Sequence, residues 1–450
     1  MSGVFKDIAR VYFIGIGGIG MSALARYFKA RGFAVAGYDK TQTTLTDALV
    51  ELGINITFSD QLDAIPDGFE LTDTLVVYTP AIPQQHEQLQ FFSTGVHQIH
   101  KRAVVLGMIT RASKSLAVAG THGKTTTSAI LGHLLASCNV PVTAFLGGIA
   151  ENYDSNYIAI GDEFTVVEAD EFDRSFLQLR PDVACVTAMD ADHLDIYGSE
   201  EEFEKTFKEF AALVPDPKLV LHPKKLPLSG TTVGIEDGAD YEAKNIRVED
   251  GAYTFDLKTP RGELKSLRFS LPGHHNLLNA ITALGMAISI GTPTDCLPKA
   301  LFEFKGVRRR FSFAYRSENK VLIDDYAHHP TEINAVFQAV SEFYPNQKKL
   351  VVFQPHLYSR TRDFLPEFAL SLAQFDQVLL LDIYPARELP IPGVNSAVLL
   401  EAIANEKKQL VSKIDLPDLI QKSDCEVILI LGAGDIGVEV KNITEHLHAN

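Results

Sequence analysis

Short apolar runs, each followed by glycine or polar residues and then by a helical pattern, recur along the whole chain. They lie at residues 11–14, 34–38, 74–78, 164–168, 183–188, 321–325, 350–353, 377–382 and 427–431. Buried strands that alternate with helical segments are typical of parallel sheets with helices on both faces. The pattern therefore predicts an α/β fold built from consecutive strand–helix units.

The pattern changes between Thr231 and Leu271, where strands alternate with turn signals at 250–251 and 260–262. This predicts a small antiparallel sheet added to the α/β core. The length of 450 residues is enough for about three domains, which we place at 1–107, 108–308 and 309–450. The predicted fold class is α/β: a Rossmann-like N-terminal domain, a P-loop-type central ATPase domain with the small added sheet, and a Rossmann-like C-terminal domain.

Composition limits the classes of partner. The net charge of −16 gives an acidic field that repels nucleic acid and anionic membranes, so we expect no nucleic-acid partner. No apolar run is long enough for a membrane span, and the N-terminal residues predict a strand and turn instead of a signal peptide. We therefore expect a cytoplasmic protein. Its cysteines (Cys138, Cys185, Cys296 and Cys425) are far apart in sequence and are predicted to be buried thiols.

The stretch from Ser115 to Thr127 combines an apolar run, a glycine turn and a helix start, as in a phosphate-binding loop. Lys124 would face the β- and γ-phosphates, and the Thr125 hydroxyl would face Mg²⁺. Val118 stands where the usual loop has glycine, so this loop is a shortened variant; the alternative is an ordinary strand–helix turn. The candidate phosphate-binding residues are Gly120, Thr121, His122, Gly123, Lys124, Thr125 and Thr126.

Carboxylates follow the next two strands. Glu168 ends its strand and is the best placed to hold Mg²⁺. The acidic residues just after it are either further ligands or a solvated turn: Asp170, Glu171 and Asp173. His193 stands beside three carboxylates and could ligate a second metal or have no ligand at all; these neighbours are Asp190, Asp192 and Asp195.

The chain has two glycine fingerprints, one near each end. The first, Gly15–Gly20 with Asp39 at the end of the next strand, indicates a nucleotide diphosphate, which NAD, FAD and UDP all contain. Thr79 and Pro80 follow a later strand and form a candidate ligand loop. The second fingerprint, at 432–437, is followed by only 13 residues. We therefore interpret it as the last strand–helix turn of a sheet.

Three further groups of polar residues are candidates for a functional site, and two of them have a structural alternative. Asn276 and Asn279 lie three residues apart and could bind a base edge or cap the helix. The arginines at 308–310 could reach phosphates or form a solvated turn. The strand that ends at Asp325 leads into a polar cluster over 324–332, which favours a functional site.

Seven blocks in one order resemble the Mur ligases, the ATP-dependent ligases of peptidoglycan precursor synthesis. The blocks cover residues 13–22, 120–127, 168–171, 192–195, 275–279, 309–311 and 324–332. The resemblance implies that the N-terminal domain binds UDP, the central domain ATP, and the C-terminal domain the amino acid. It assigns the first fingerprint to a UDP-sugar, held by Gly15, Gly17, Gly18, Ile19, Gly20, Asp39, Thr79 and Pro80.

The resemblance also implies roles for the remaining candidates. Lys124 would hold the ATP phosphates, Thr125 and Glu168 one Mg²⁺ ion, and His193 a second. Further nucleotide contacts would come from Asn276, Asn279, Arg310 and Asp325. The amino-acid side would be built from Tyr326, His328 and Arg360, with His328 as our candidate base. Leu357 departs from the family pattern, which has arginine there, so the alanine carboxylate would be bound by Arg360 or by another residue such as Arg387.

The reaction that the resemblance implies joins L-alanine to the lactyl carboxylate of UDP-N-acetylmuramate through an acyl phosphate, with ATP as substrate and two Mg²⁺ ions. The nearer alternative is a recycling ligase that adds a preformed tripeptide to the same sugar nucleotide. Alternatives from other classes are an NAD-dependent oxidoreductase, based on residues 15–39, and a nucleotide sensor without activity. We expect a monomer or a homodimer.

Overall fold

The computed structural model describes residues 5–190, 197, 199–386 and 388–449, apart from the side chains of 172, 173 and 200. The chain forms two compact units. The first comprises Met1–Asn245, Phe255–Leu267 and Leu278–Phe304, and the second comprises Ile246–Thr254, Arg268–Leu277 and Lys305–Asn450.

The first unit begins with a five-stranded parallel sheet in the order β3-β2-β1-β4-β5. Its strands are β1 (Arg10–Ile14), β2 (Ala34–Tyr38), β3 (Asn55–Thr57), β4 (Thr74–Tyr78) and β5 (Gln98–Lys101). Its helices are α1 (Ile19–Ala30), α2 (Thr44–Glu51), α3 (Glu87–Thr94) and α4 (Arg102–Thr110). Most residues of the apolar runs are buried because helices cover both faces of the sheet. The predicted Rossmann-like fold is confirmed.

A second sheet follows in the same unit. Its strands are β6 (Lys114–Ala119), β7 (Val142–Ala150), β8 (Ser155–Ala159), β9 (Phe164–Glu168), β10 (Val183–Val186) and β11 (Val220–Pro223). Two helices accompany them, α5 (Lys124–Ser137) and α6 (Glu200–Ala211). Strand β6 lies between β9 and β10 and is parallel to both. Their carboxyl ends therefore meet at one edge, where the phosphate loop leaves β6.

The region predicted as a small antiparallel sheet added to the core extends one edge of the central sheet. It forms β12 (Thr231–Ile235), β13 (Tyr241–Glu249), β14 (Ala252–Thr259) and β15 (Gly262–Phe269). Strand β12 joins β11 in parallel and β13 joins β12 in parallel, which gives ten strands in the order β15-β14-β13-β12-β11-β10-β6-β9-β7-β8. The turn predicted at 250–251 is present, with both residues at positive φ as a tight hairpin requires. Helices α7 (His274–Ser289) and α8 (Leu297–Glu303) come next.

The C-terminal sheet has six strands in the order β16-β17-β21-β18-β19-β20. They are β16 (Ser312–Arg316), β17 (Val321–Asp325), β18 (Lys349–Phe353), β19 (Gln377–Leu380), β20 (Lys408–Leu410) and β21 (Val427–Leu431). Strand β16 is antiparallel to β17, and the other pairs are parallel. The helices are α9 (Pro330–Phe343), α10 (Tyr358–Asp363), α11 (Leu365–Leu372), α12 (Ser396–Ala402), α13 (Leu416–Lys422) and α14 (Ile436–His448). Two apolar clusters cover the two faces of this sheet.

The second glycine fingerprint connects β21 to α14, as predicted. Arg309 occupies the space beside it, and its Nη2 donates to the carbonyls of Gly432 and Gly434 at 2.5 and 3.2 Å. A Cβ on Gly437 would lie 2.6 Å from the same guanidinium. These glycines therefore make room for an arginine of the same unit.

The prediction that the cysteines are buried thiols is confirmed for two of them and wrong for the other two. Cys185 and Cys425 are buried thiols. Cys138 and Cys296 form a disulfide that joins the end of α5 to the start of α8. Their separation of 158 residues gave no spacing signal, because only the packing of α8 against α5 brings them together.

Among the helices of the described residues, none combines the length and apolar character that crossing a membrane requires.

Candidate active site

The phosphate loop is positioned by the strands on either side of β6. Gly120 has a φ of +130°, and a Cβ there would lie 2.2 Å from the Thr187 hydroxyl, so only glycine fits. That hydroxyl donates to the carbonyls of Ala119 and His122, and the Thr121 amide donates to the Ala188 carbonyl at 3.1 Å. The loop is thus fixed in shape, with the N-terminus of α5 at its end.

The lysine of this loop has a buried partner. Lys124 Nζ donates to both carboxylate oxygens of Glu171, at 2.8 and 2.7 Å, and to the Gly120 carbonyl at 2.6 Å. The Glu171 side chain is only 4% exposed. The idea that Glu171 belongs to a solvated turn is therefore wrong, because the buried ammonium of Lys124 needs its charge. The sequence pattern contained both residues but gave no sign of their contact.

Thr125 and Glu168 meet as predicted. The neighbouring register of β6 and β9 places Val118 opposite Glu168, and the Thr125 hydroxyl donates to the two carboxylate oxygens at 3.1 and 3.0 Å. A Cβ on Gly147 would lie 2.0 Å from the same carboxylate, so glycine leaves space beside it. A hydroxyl and a carboxylate are oxygen ligands that suit Mg²⁺, and the residues present therefore fit that ion.

The first glycine loop carries its own partners. The Gly17 amide donates to Asp39 Oδ2 at 2.7 Å, so the acidic residue of the fingerprint holds the loop itself. Gly15 has a φ of +91°, and a Cβ there would lie 2.7 Å from the Thr79 side chain. Four of the predicted UDP-sugar residues are thus adjacent, at the carboxyl ends of β1, β2 and β4.

A cavity of about 280 Å³ connects this loop with the Glu168 carboxylate. Gly18, Ile19 and Gly20 line one side, and Glu168 lines the other. Both belong to the first unit, so a ligand held at the glycine loop can extend toward the phosphate loop.

Arg102 is a residue of this cavity that the sequence reasoning missed. It stands at the start of α4, and a Cβ on Gly20 would lie 2.7 Å from its Nη1. Its Nη2 is 3.4 Å from the Asp170 carboxylate. A cation directly after a strand, at the carboxyl edge of a parallel sheet, is the signal that could have identified it.

The two asparagines have different surroundings. Asn279 lies against the phosphate loop, since a Cβ on Gly123 would be 2.4 Å from its Oδ1. Asn276 is buried, and its Nδ2 donates to the Pro272 carbonyl at 2.7 Å, at the start of its own helix. The Asn276 side chain is thus bound within the start of its own helix, but as a donor and not as an N-cap acceptor, while Asn279 remains a candidate nucleotide ligand.

In the second unit, Asp325 organises the turn after β17. Its two carboxylate oxygens accept the amides of Phe311 and Ala327, both at 2.7 Å. Burial raises the pKa of Asp325 to about 6, against the opposing effects of Arg310 and these two amides. Arg310 also lies over the Tyr326 ring, with its guanidinium carbon 5.2 Å from the ring centre. These three predicted site residues are thus brought together.

His328 is held as a neutral imidazole with a defined tautomer. Its Nδ1 is 2.9 Å from the Tyr326 carbonyl, which can only accept, so the proton is on Nδ1 and the lone pair is on Nε2. Burial lowers the pKa of His328, although Glu332 and that carbonyl act in the other direction. The histidine that caps α9 is instead His329, which forms a capping box with Glu332.

The loop after β18 adds the remaining candidates. Arg360 Nη1 is 3.3 Å from His356 Nδ1, and the rings of His356 and His328 are 6.0 Å apart. Burial, Arg360 and His328 lower the pKa of His356 to about 4. Leu357 has a φ of +72°, a strained conformation for a branched residue. Arg360 is therefore close to His328, as an amino-acid site at this place would need.

Some predicted residues lie outside the described part of the chain: His193, Asp192, Asp195 and Arg387. Within the described residues there is no group of three or more His, Cys, Asp or Glu side chains placed to hold a metal. The prediction of a second ion held by His193 therefore stays a prediction.

Three family models match the chain in order. They are described as Mur ligase family, catalytic domain (residues 10–114), Mur ligase middle domain (118–287) and Mur ligase, glutamate ligase domain (309–434). Two curated relatives bear the name UDP-N-acetylmuramate–L-alanine ligase. That of Christiangramia forsetii is 57% identical over 98% of both chains, and that of Flavobacterium psychrophilum is 59% identical over 98% of this chain and 99% of its own.

Solved structures give the same result for the fold. The crystal structure of UDP-N-acetylmuramate-alanine ligase MurC from Thermotoga maritima matches with a TM-score of 0.84 and 29% identity, over 98% of this chain and 99% of the other. A murein peptide ligase from Psychrobacter arcticus matches with a TM-score of 0.68 over 98% of both chains, at 20% identity, which supports the fold alone.

Proposed function

Because the chain belongs to the Mur ligase family, we propose that it is an ATP-dependent ligase that joins L-alanine to the lactyl carboxylate of UDP-N-acetylmuramate in peptidoglycan precursor synthesis. The observation that carries this proposal is the first unit's continuous site. A glycine loop suited to a nucleotide diphosphate, a phosphate loop and a metal-binding carboxylate border one another there. The names of the two curated relatives described above support UDP-N-acetylmuramate and L-alanine as the two substrates that are joined.

The chemistry has two steps. The lactyl carboxylate attacks the γ-phosphorus of ATP, the bond to the β,γ-bridging oxygen breaks, and an acyl phosphate and ADP result. The alanine amine then attacks the acyl carbon, and phosphate leaves. Bound Mg²⁺ would neutralise phosphate charge in the first step. Thr125 and Glu168 would hold that ion, and we propose that His193 helps to hold a second.

The first step brings two anions together, and the residues of this chain reduce their repulsion. Lys124 supplies a cation at the phosphate loop, once its ammonium turns from Glu171 toward the nucleotide. The amides of the loop and of the α5 N-terminus face the same charge. Arg102 lines the same cavity beside Gly20 and would hold the anionic sugar nucleotide in line with the γ-phosphate.

The second step needs a base for the alanine ammonium. We assign this role to His328, because its Nε2 carries the lone pair and its lowered pKa keeps it neutral at pH 7. Arg360 would bind the alanine carboxylate. It would thus take the role of the family's arginine, at whose position this chain has Leu357. Tyr326 and His356 would complete this subsite.

The remaining assignments follow from the substrates. The proposed substrates, ATP and a UDP-linked precursor, support a cytoplasmic location for the reaction. Asn279, Arg310 and Asp325 are proposed ATP contacts, and Thr79, Pro80 and Asp39 are proposed contacts of the UDP-sugar or its loop. The domain boundaries at 107/108 and 308/309 and the monomeric or homodimeric state stay predictions.

The proposal is tested by phosphate release from ATP in the presence of UDP-N-acetylmuramate, with L-alanine, glycine, L-serine or the tripeptide as acceptor. Release that requires both the sugar nucleotide and L-alanine is expected. Release with the tripeptide alone would identify a recycling ligase instead. NADH binding without any phosphate release would favour the oxidoreductase, and the absence of release with every acceptor would contradict the ligase assignment.

A further inference from the structure

A second cavity of the first unit lies away from the glycine loop and the phosphate loop. Its volume is about 550 Å³, within the range of small-molecule sites. One wall comes from the end of α1 and the residues just after it, and the other from the start of β7, the end of β8 and the segment before β9. None of the residues that we place in the ligase site lines it.

The cavity has aromatic walls. Phe5, Tyr27 and Phe33 line it from the N-terminal sheet's side, and Tyr157 lines it from β8. Rings on several sides provide the flat apolar contacts that an aromatic ligand would use.

Two opposite charges also line the cavity. The Arg31 guanidinium lies over the Tyr27 ring, 4.0 Å from its centre, and in the part of the chain that the structure describes it has no carboxylate partner. Asp162 is exposed at the rim. Burial raises the pKa of Tyr27, and Arg31 and Asp162 act on the same hydroxyl in opposite directions. The two charges are therefore near one another but are not ion-paired.

A further feature of this cavity is the hydroxyl of one of its lining residues, Tyr157. The Tyr157 hydroxyl is buried and makes no hydrogen bond of standard geometry within the described residues, although Arg31 and Thr143 lie close enough to lower its pKa against the effect of burial. An unsatisfied buried hydroxyl is unfavourable unless a ligand or water pairs with it.

From this arrangement we propose that the cavity binds a free α-amino acid with an aromatic side chain. Arg31 and the Tyr157 hydroxyl bind the carboxylate, Asp162 binds the ammonium group, and the rings of Phe5, Tyr27 and Phe33 surround the side chain. A ligand with both charges is favoured over a simple anion because Asp162 would repel the latter. This site is distinct from the proposed alanine subsite, which belongs to the second unit.

The test is isothermal titration calorimetry of the full chain with L-phenylalanine. Three probes that each lack one feature serve as comparisons: 3-phenylpropionate lacks the ammonium group, phenethylamine the carboxylate, and L-alanine the ring. We expect L-phenylalanine to bind at least tenfold more tightly than any of the three. Absence of binding, or equal binding of 3-phenylpropionate, would overturn the proposal.

Variants locate the binding. Arg31→Gln is expected to weaken L-phenylalanine binding by about tenfold, since it removes a charge-assisted hydrogen bond. Asp162→Asn should abolish the preference over 3-phenylpropionate. Ala112→Trp, at an exposed lining position, should block the cavity without touching the core. Arg111→Gln is the matched control, because Arg111 is an exposed arginine outside the lining.

The proposed function and this inference fail separately. Loss of L-phenylalanine binding in Arg360→Gln would place the ligand in the alanine subsite and overturn the inference. Unchanged affinity in both Arg31→Gln and Ala112→Trp would do the same. Neither result would bear on phosphate release with UDP-N-acetylmuramate and L-alanine.

Discussion

The ammonium of Lys124 lies 2.7 and 2.8 Å from the two carboxylate oxygens of Glu171, and both side chains are largely buried. The cation proposed for the ATP phosphates is thus already balanced by an internal anion before nucleotide binds. ATP must therefore compete with Glu171 for Lys124, and the strength of this pair bears on nucleotide affinity.

The Glu171→Gln variant is expected to bind ADP more tightly, by about tenfold at most. The substitution leaves the buried ammonium without its counter-charge, and the nucleotide phosphates then relieve a cost that the wild-type protein does not have. Calorimetric titration of ADP with and without Mg²⁺ measures the change. Weaker binding that appears only with Mg²⁺ would contradict this and would mean that Glu171 holds the metal.

The Lys124→Ala variant is expected to lose turnover while UDP-N-acetylmuramate binding stays within about twofold. Lys124 faces the phosphate loop, whereas the glycine loop at 15–20 has its own amides for the diphosphate. Phosphate release and sugar-nucleotide titration are the two measurements. Lys299→Ala, on the exposed face of α8, is the control. Loss of both turnover and UDP-N-acetylmuramate binding in a folded Lys124→Ala protein would refute the assignment of the two substrates to separate loops.

The Arg102→Gln variant tests the residue that the sequence did not indicate. Loss of a charge-assisted hydrogen bond to an anion should raise the KM for UDP-N-acetylmuramate by about tenfold or more. The KM for ATP should change little, because Arg102 borders the glycine loop. Arg111→Gln, nine residues further along the same region, provides the comparison. A rise in the ATP KM alone would show that Arg102 acts on the other substrate.

The pH dependence tests His328. Burial lowers its pKa below the ordinary 6.5, so the neutral base persists at pH 7 and kcat should fall only as the pH drops through that lowered value. His328→Gln should reduce kcat by roughly 100-fold and remove this acid limb, with the KM for ATP unchanged. His446→Gln, on α14, should keep the wild-type profile. An acid limb that survives in His328→Gln would assign the titration to another group, such as Asp325.

The disulfide between Cys138 and Cys296 gives a prediction about stability. A link across 158 residues restricts the unfolded chain, which in the chain-entropy model corresponds to about 5 kcal/mol at most. The oxidised protein should therefore unfold at a higher temperature than the protein in dithiothreitol, and Cys296→Ser should not respond to the reductant. Because cytoplasmic thiols are kept reduced, the reduced form is the relevant one if the proposed location is correct. Four titratable thiols in the unreduced, unfolded protein would refute the link.

The sequence by itself determined the α/β class, most strand positions and the phosphate loop. Buried parallel strands need continuous apolar runs, and a loop that approaches phosphate needs glycine at fixed positions; both requirements are local and so are visible in the chain. The meeting of Thr125 with Glu168 was also predictable, because adjacent parallel strands end at one edge.

Only the tertiary structure decided the contacts between distant segments. Three contacts depend on how helices and strands pack, which no local sequence pattern predicts. They are the pairing of Lys124 with Glu171, the position of Arg102 beside Gly20, and the disulfide between Cys138 and Cys296. The alternation in β12–β15 indicated that one face of each strand is exposed, whereas hydrogen bonds between strand edges decide that these strands extend the central sheet. The tautomer of His328 likewise follows from a carbonyl two residues away that only the folded turn aims at its ring.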